Sequence, residues 1–338
     1  MKKFMIVCVL CTLFLNVNIL QTQASRSFND SSSANWNETK TITKLRSIDF
    51  LVGHFDNEIK IIFSDIDNTI LKLDKKNPQA KAPESVKKAV KSLHEAKIPL
   101  ILATGRAYAE ASELAKKIGA EKTYLITQHG SEIWDSKGKL IYQDTIKNAD
   151  LLAIFNFIET LKKDNKLTSQ LVVFSEGKLY STEKMKLPYN WTKIKKIKAL
   201  AELGSNATAS SICIYETKPK DLKFIQSELK KAFPEYKIDI TTDCYCDIVS
   251  PTATKGKAIA KLAEILHTDL KNTAALGDSE NDISMLNLVK NSDGLAIVVG
   301  NAMYATRENA NYVTAPVGAD GFAKAVEKII KNNVSLKK

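Results

Sequence analysis

Asp65 and Asp67 stand two residues apart at the end of an apolar run, Ile59 to Phe63 broken only by Lys60. A small Asn68-Thr69 pair follows, and apolar residues resume at Ile70. Short apolar runs rich in β-branched residues read as buried strands. In open α/β sheets, ligands lie beyond the carboxyl ends of such strands. Two acids placed there are costly unless a cation binds them. The same residues would also suit a polar turn that caps the next segment. Three further places carry matching chemistry: Thr104-Gly105-Arg106 after Pro99 to Ala103, Lys255 at the start of a helical stretch, and Gly277 to Asp282 after Thr273 to Leu276. Asp65 and Asp278 can hold Mg²⁺ in an oxygen shell. Thr104 and Asn281 can hydrogen-bond phosphate oxygens, and Lys255 is a point charge at a helix N-terminus, where anions are already favoured. Asp65 can attack phosphorus as a covalent nucleophile, and Asp67 can protonate the leaving oxygen and then activate water. A dianionic phosphate can approach these carboxylates only when Mg²⁺ and a lysine offset them. Hydrolysis of phosphate monoesters needs accelerations of up to about 10²¹-fold, so a metal, a cation and a covalent step together are proportionate.

The elements that must position these groups follow from periodicity. Strand 59–64 is followed by a helix from Pro83-Glu84 to about Lys97, with Val86, Ala89, Val90 and Leu93 on one face. Strand 99–103, a helix from Ala107 to Ile118 with Gly119 as its C-cap, and strand 124–127 complete a β-α-β-α-β run, the pattern of a parallel sheet. A hairpin spans 131–143. Helices 149–163 and 219–232 then alternate with short strands at 171–174, 179–181, 210–216, 237–241 and 246–249. After Pro251 the first pattern returns: a helix from Lys255, strand 273–276, helix 282–290, strand 294–299, a short strand at Tyr312-Val313 and helix 320–331. The expected architecture is α/β: a doubly wound parallel core, residues 58–136 and 248–338, split by an α+β unit at 137–247. All four polar strand ends could converge on one crevice.

The 338 residues, 44% hydrophobic and 26% charged, are globular in composition and sufficient for such a two-part chain. Residues 1–24 read as a signal peptide, with Lys2 and Lys3, an apolar Phe4 to Leu15 and a small-residue site ending at Ala24. Cleavage would leave 338 − 24 = 314 residues, lower the formal charge from +11 to +9, and export the chain to a periplasmic or secreted, disulfide-permissive location. An uncleaved anchor is the alternative; after cleavage no stable membrane association is expected. Residues 25–57 read as a flexible lead-in. Of Cys213, Cys244 and Cys246, either of the latter two could pair with Cys213, or all three could be buried thiols. The lysines at 193, 195, 196 and 198 read as a solvated surface, and no basic-plus-aromatic arrangement argues for nucleic acid. Asn29, Asn37, Asn190, Asn206 and Asn333 begin glycosylation triplets that matter only in a eukaryotic source.

Taken jointly, Asp65-Ile66-Asp67-Asn68-Thr69, Thr104-Gly105-Arg106, Lys255 and Gly277-Asp278 through Asp282 resemble the four motifs of the haloacid dehalogenase superfamily of phosphatases. The similarity covers about residues 58 to 331. The insert, with Val299-Gly300-Asn301-Ala302 and Asp320-Gly321, resembles the Cof-type sugar-phosphate phosphatase subclass. The resemblance implies a Rossmann-like core with an inserted cap and Mg²⁺-dependent hydrolysis of a small phosphorylated metabolite through an aspartyl-phosphate. It implies Asp65 as nucleophile and metal ligand, Asp67 as acid/base with its carbonyl on the metal, and Thr104, Gly105, Lys255 and Asn281 around the phosphate. Asp278 and Asp282 would complete the metal site, Asp282 orienting the shell around the ion. Phosphoryl transfer resembling phosphomannomutase, a trehalose-phosphate-phosphatase-like enzyme, and a non-catalytic phosphate-binding protein are the alternatives. Two departures stand out. Asn68 replaces the usual Gly and would tolerate the left-handed region that Gly uses. Gln128-His129-Gly130 replaces an Asn-Gly pair, and His129 reads as a turn histidine, with sugar contact as the other reading.

Overall fold

The computed structural model describes residues 45–73, 82–184 and 194–338. The signal segment, Lys193 and the triplets at Asn29, Asn37 and Asn190 lie outside them. The core sheet contains β1 (Arg46–Ser47), β2 (Ile61–Ser64), β3 (Leu100–Ala103), β4 (Leu125–Thr127), β5 (Glu132–Trp134), β6 (Leu140–Gln143), and later β13, β14 and β15 at Thr273–Gly277, Leu295–Val298 and Tyr312–Val313. Their order is β1-β15-β14-β13-β2-β3-β4-β5-β6, parallel from β1 through β4 and antiparallel across β5 and β6.

Every residue of β2 and β3 is buried, which is why these strands read as continuous apolar runs rather than alternating ones. Ile62, Leu100 and Leu102 face one layer, packing with helices α1 (Glu84–Glu95), α2 (Tyr108–Ile118) and a C-terminal helix (Gly321–Ser335). Ile61, Phe63, Ile101 and Ala103 face the other, packing with the helices Lys255–Ile265 and Ile283–Asn291. Gly119 ends α2 at φ 83, in the left-handed region that only Gly adopts without cost.

Between β6 and the Lys255 helix lies a second sheet: β7 (Gln170–Ser175), β8 (Lys178–Ser181), β9 (Ile194–Lys196), β10 (Ser211–Tyr215), β11 (Lys237–Thr242) and β12 (Tyr245–Val249). Its order is β11-β12-β10-β7-β8-β9. Helices α3 (Asn148–Asn165) and α4 (Pro219–Ala232) cover one face through Ile154, Ile158, Ile225 and Leu229. The opposite face, with Val172, Phe174, Cys213 and Tyr245, packs against Ala107 of the core.

Two expectations shift. Residues 45–57 of the lead-in are ordered: β1 pairs with β15, Ile48 and Leu51 are buried, and just beyond them Asn333 brackets Ile59, accepting from its N–H at 2.9 Å and donating to its carbonyl at 2.7 Å. The partners lie 274 residues away, so nothing local announces the order. Asn333 therefore spends its side-chain amide internally. The insert begins after Gln143 rather than at 137, because β6 pairs with β5 on the core sheet, and it runs through Val249. Of the two readings left open for the cysteines, the second holds: Cys213, Cys244 and Cys246 are all thiols, Cys213 and Cys246 buried and Cys244 half-buried. Cys213 stands opposite Asp247 while Cys246 stands opposite Ile214, which puts Cys213 and Cys246 on opposite faces of the sheet.

Candidate active site

Strands β2 and β13 are hydrogen-bonded neighbours, and the chain departs from them in opposite directions. This is the switch point of a doubly wound sheet, where a crevice opens beyond the strand ends. Asp65 follows β2, its N–H donating to the Leu276 carbonyl at 3.0 Å, and Asp278 follows β13. Lys255 is the first residue of its helix, behind a Thr254 N-cap that accepts from Lys257 N–H. A Cβ on Gly130, at φ 101, would collide with the Thr254 backbone, so the bare backbone there lets the helix start approach the β4 loop.

Lys255 Nζ, fully buried, donates to Asp65 Oδ1 and to Asp282 Oδ1, each at 2.6 Å. Asp282 Oδ2 accepts the N–H groups of Asp278 at 2.9 Å and Ser279 at 3.0 Å. Thr69 donates its hydroxyl to Asp278 Oδ1 at 2.8 Å. Asp65, Asp278 and Asp282 each offer an oxygen within 4.8 Å of the others. Asp282 is thus committed to Lys255 and the loop backbone, whereas Asp65 Oδ2 and Asp278 Oδ2 have no hydrogen-bond partner among the described residues.

The electrostatics follow. Burial pushes the Asp65 carboxyl well above its ordinary range; Lys255 opposes the shift, and Asp282 and Asp67 add to it. Burial likewise pushes Asp278 up to about 6, with Asp282 adding to the shift. Burial works against the Lys255 ammonium, yet Asp282 and Asp65 outweigh it and hold the charge. Three buried carboxylates thus face one ammonium, a deficit of positive charge that a divalent cation would fill. The all-oxygen, anionic donor set fits Mg²⁺, with Asp65 and Asp278 supplying the uncommitted oxygens.

The remaining sequence candidates lie around this cluster. Thr104 is buried at the end of β3, and its hydroxyl accepts the Arg106 N–H at 3.1 Å. A Cβ on Gly105 would strike the His129 ring. Asn281 reaches His129 at 3.5 Å, Nδ2 to Nδ1. Asp67 is gripped by Arg106, Nε to Oδ2 and Nη2 to Oδ1, both at 2.7 Å. Spacing alone marks Arg106 only as the last residue of its motif and Thr69 only as a turn residue. His129 is more than a turn residue: its Nε2 lies 3.1 Å from Asp247 Oδ2 on the inserted sheet. A lone acid between Cys246 and Ile248 in a buried strand was the available signal for Asp247.

A sequence model of haloacid dehalogenase-like hydrolases matches residues 62–326. A 5-amino-6-(5-phospho-D-ribitylamino)uracil phosphatase of Bacillus subtilis is 26% identical over 271 residues, 80% of this chain and 96% of its own. A phosphoglycolate phosphatase of Methanosarcina acetivorans is 28% identical, covering 72% of this chain and 88% of its own. Among solved structures, a haloacid dehalogenase-like hydrolase of Bacteroides thetaiotaomicron superposes with a TM-score of 0.66 at 20% identity, over 80% of this chain and all of that one. A subclass IIB sugar phosphatase superposes at 0.63 with 23% identity, over 79% of this chain and 98% of its own.

Proposed function

The chain belongs to the haloacid dehalogenase-like hydrolases, as a Cof-type phosphatase, and from that premise we propose that it hydrolyses a small phosphomonoester, a sugar phosphate or similar metabolite, with Mg²⁺, outside the cytoplasm after loss of residues 1–24. The observation that carries the reading is the buried set Asp65, Lys255, Asp282 and Asp278 at the switch point of the sheet.

The Asp65 carboxylate attacks phosphorus through one oxygen, forming the aspartyl-phosphate bond as the ester P–O bond breaks. In its protonated form Asp67 gives a proton to the departing alcohol oxygen, and then, as the carboxylate, takes one from the water that attacks phosphorus and frees Asp65. Lys255, the Thr104 hydroxyl and Asn281 hold phosphate oxygens, and Lys255 keeps Asp65 in line. Asp65 and Asp278 would hold Mg²⁺, with Asp282 fixing the loop; the ion supplies charge neutralisation and polarises phosphate oxygens. The two relatives, both phosphatases of small phosphorylated metabolites, support this class.

Phosphate release from a panel of phosphomonoesters, with and without Mg²⁺, on the wild type and on Asp65→Asn, tests the reading. Release that needs Mg²⁺ and disappears in Asp65→Asn is expected. A wild type inert toward every ester, or a fully active Asp65→Asn, overturns it.

A further inference from the structure

One hydrogen-bonded chain runs from the catalytic loop across to the inserted sheet. The Ser279 hydroxyl donates to Asn281 Oδ1 at 2.9 Å. Asn281 Nδ2 lies 3.5 Å from His129 Nδ1. His129 Nε2 lies 3.1 Å from Asp247 Oδ2, which also accepts the Thr241 hydroxyl at 3.0 Å. A carboxylate only accepts, so Nε2 donates to Asp247, and in the neutral ring Nδ1 is left to accept from the Asn281 amide. Donors and acceptors then alternate without conflict from Ser279 to Asp247.

His129 occupies this place in a disfavoured backbone conformation. Gln128 and His129 are consecutive non-glycine residues at φ 49 and 58. The surroundings enforce it: Gln128 N–H donates to the Arg106 carbonyl at 3.1 Å, His129 N–H to the Thr104 carbonyl at 3.2 Å, and the Ser211 hydroxyl of β10 to Gln128 Oε1 at 2.7 Å. The ring lies on Gly105, beside the phosphate-binding turn, and its side chain is only 13% exposed. An idle turn histidine would have no need of such bracing from both the core and the inserted sheet.

We propose that His129 is a positioning residue. Asp247, brought by the inserted domain when it packs on the core, orients the imidazole, and the imidazole fixes the Asn281 amide at the phosphate site. Seating of the insert is thereby reported to the catalytic loop through one ring. The proposal rests on the phosphatase reading above.

The test is steady-state hydrolysis of p-nitrophenyl phosphate with Mg²⁺ by the wild type, His129→Ala, Asp247→Ala, the double variant and His129→Gln, with a thermal melt of each. Each alanine variant should lower kcat about 10- to 100-fold, as misplacement of a phosphate-binding group does, with little change in KM. The double variant should be no slower than the slower single one, because both break the same link. His129→Gln, which keeps a donor and an acceptor, should recover much of the loss. Losses that multiply in the double variant, a change confined to KM, or a lowered melting temperature with kcat intact would each overturn the positioning role. An active wild type with no coupling sinks this inference alone; a wild type that hydrolyses nothing sinks the phosphatase reading with it.

Discussion

Arg106 and Asp67 form a two-bond fork, and the pairing holds the Arg106 charge more firmly than usual: burial opposes it, and Asp67 outweighs the burial. A planar guanidinium orients a carboxylate in a way that a point charge cannot. Arg106→Lys should therefore fold normally yet lose activity about tenfold, read as kcat for phosphate release, because Asp67 is no longer held at a fixed angle. Asp278 gives a pH signature. Its carboxyl, ordinarily at 3.8, is pushed up to about 6 by burial, so between those values the folded metal-free protein holds a proton that the unfolded chain has lost. Stability without metal should fall as pH rises through that window, and Mg²⁺, which needs the carboxylate ionised, should bind more weakly as pH drops below about 6. Melts in Mg²⁺ and in chelator across the window should show the metal-dependent gain growing with pH. A constant gain would remove Asp278 from the metal site.

The turn after β2 shows how one element depends on one backbone angle. Asn68 sits at φ 58, its N–H donates to the Leu71 carbonyl at 2.6 Å, and its Oδ1 accepts the Leu73 N–H at 3.1 Å. Asn takes the left-handed region that Gly would occupy, as its tolerance for that region suggested. Asn68→Ala should cost about 1–2 kcal/mol of unfolding free energy. Asn68→Gly, which keeps the angle and loses only the side-chain bond, should cost less, and denaturant titration gives the order. Strands β2, β3, β4 and β13 were legible because burial on both faces leaves an unbroken apolar run. Strands β1 and β9 were not. The first is two residues long, and the second carries Lys195 and Lys196, whose charge suits an edge strand and hides the element inside a lysine-rich surface.

At the scale of the molecule, the two crossovers between core and insert are tied by Asp144, which accepts from the Thr252 hydroxyl at 2.8 Å and from Lys257 Nζ at 2.7 Å. If the N-terminal segment is cleaved after Ala24, the mature chain begins at Ser25, and mass spectrometry of the exported protein should find 314 residues (338 − 24). A chain retaining Met1 in the cell overturns the export proposal. The order of apolar runs and the acids at their ends are properties of the chain read locally, so the α/β core and the candidate residues Asp65, Lys255, Asp278 and Asp282, which the fold brings together, were legible in the sequence alone. What the tertiary structure decided is which oxygen goes where: Asp282 turned inward to Lys255 and the loop backbone, Arg106 closed on Asp67, and His129 joined to Asp247 across 118 residues. Those pairings depend on strand order and on which face of a sheet a side chain takes. Both are set by packing between distant segments, which leaves no local trace in composition or spacing.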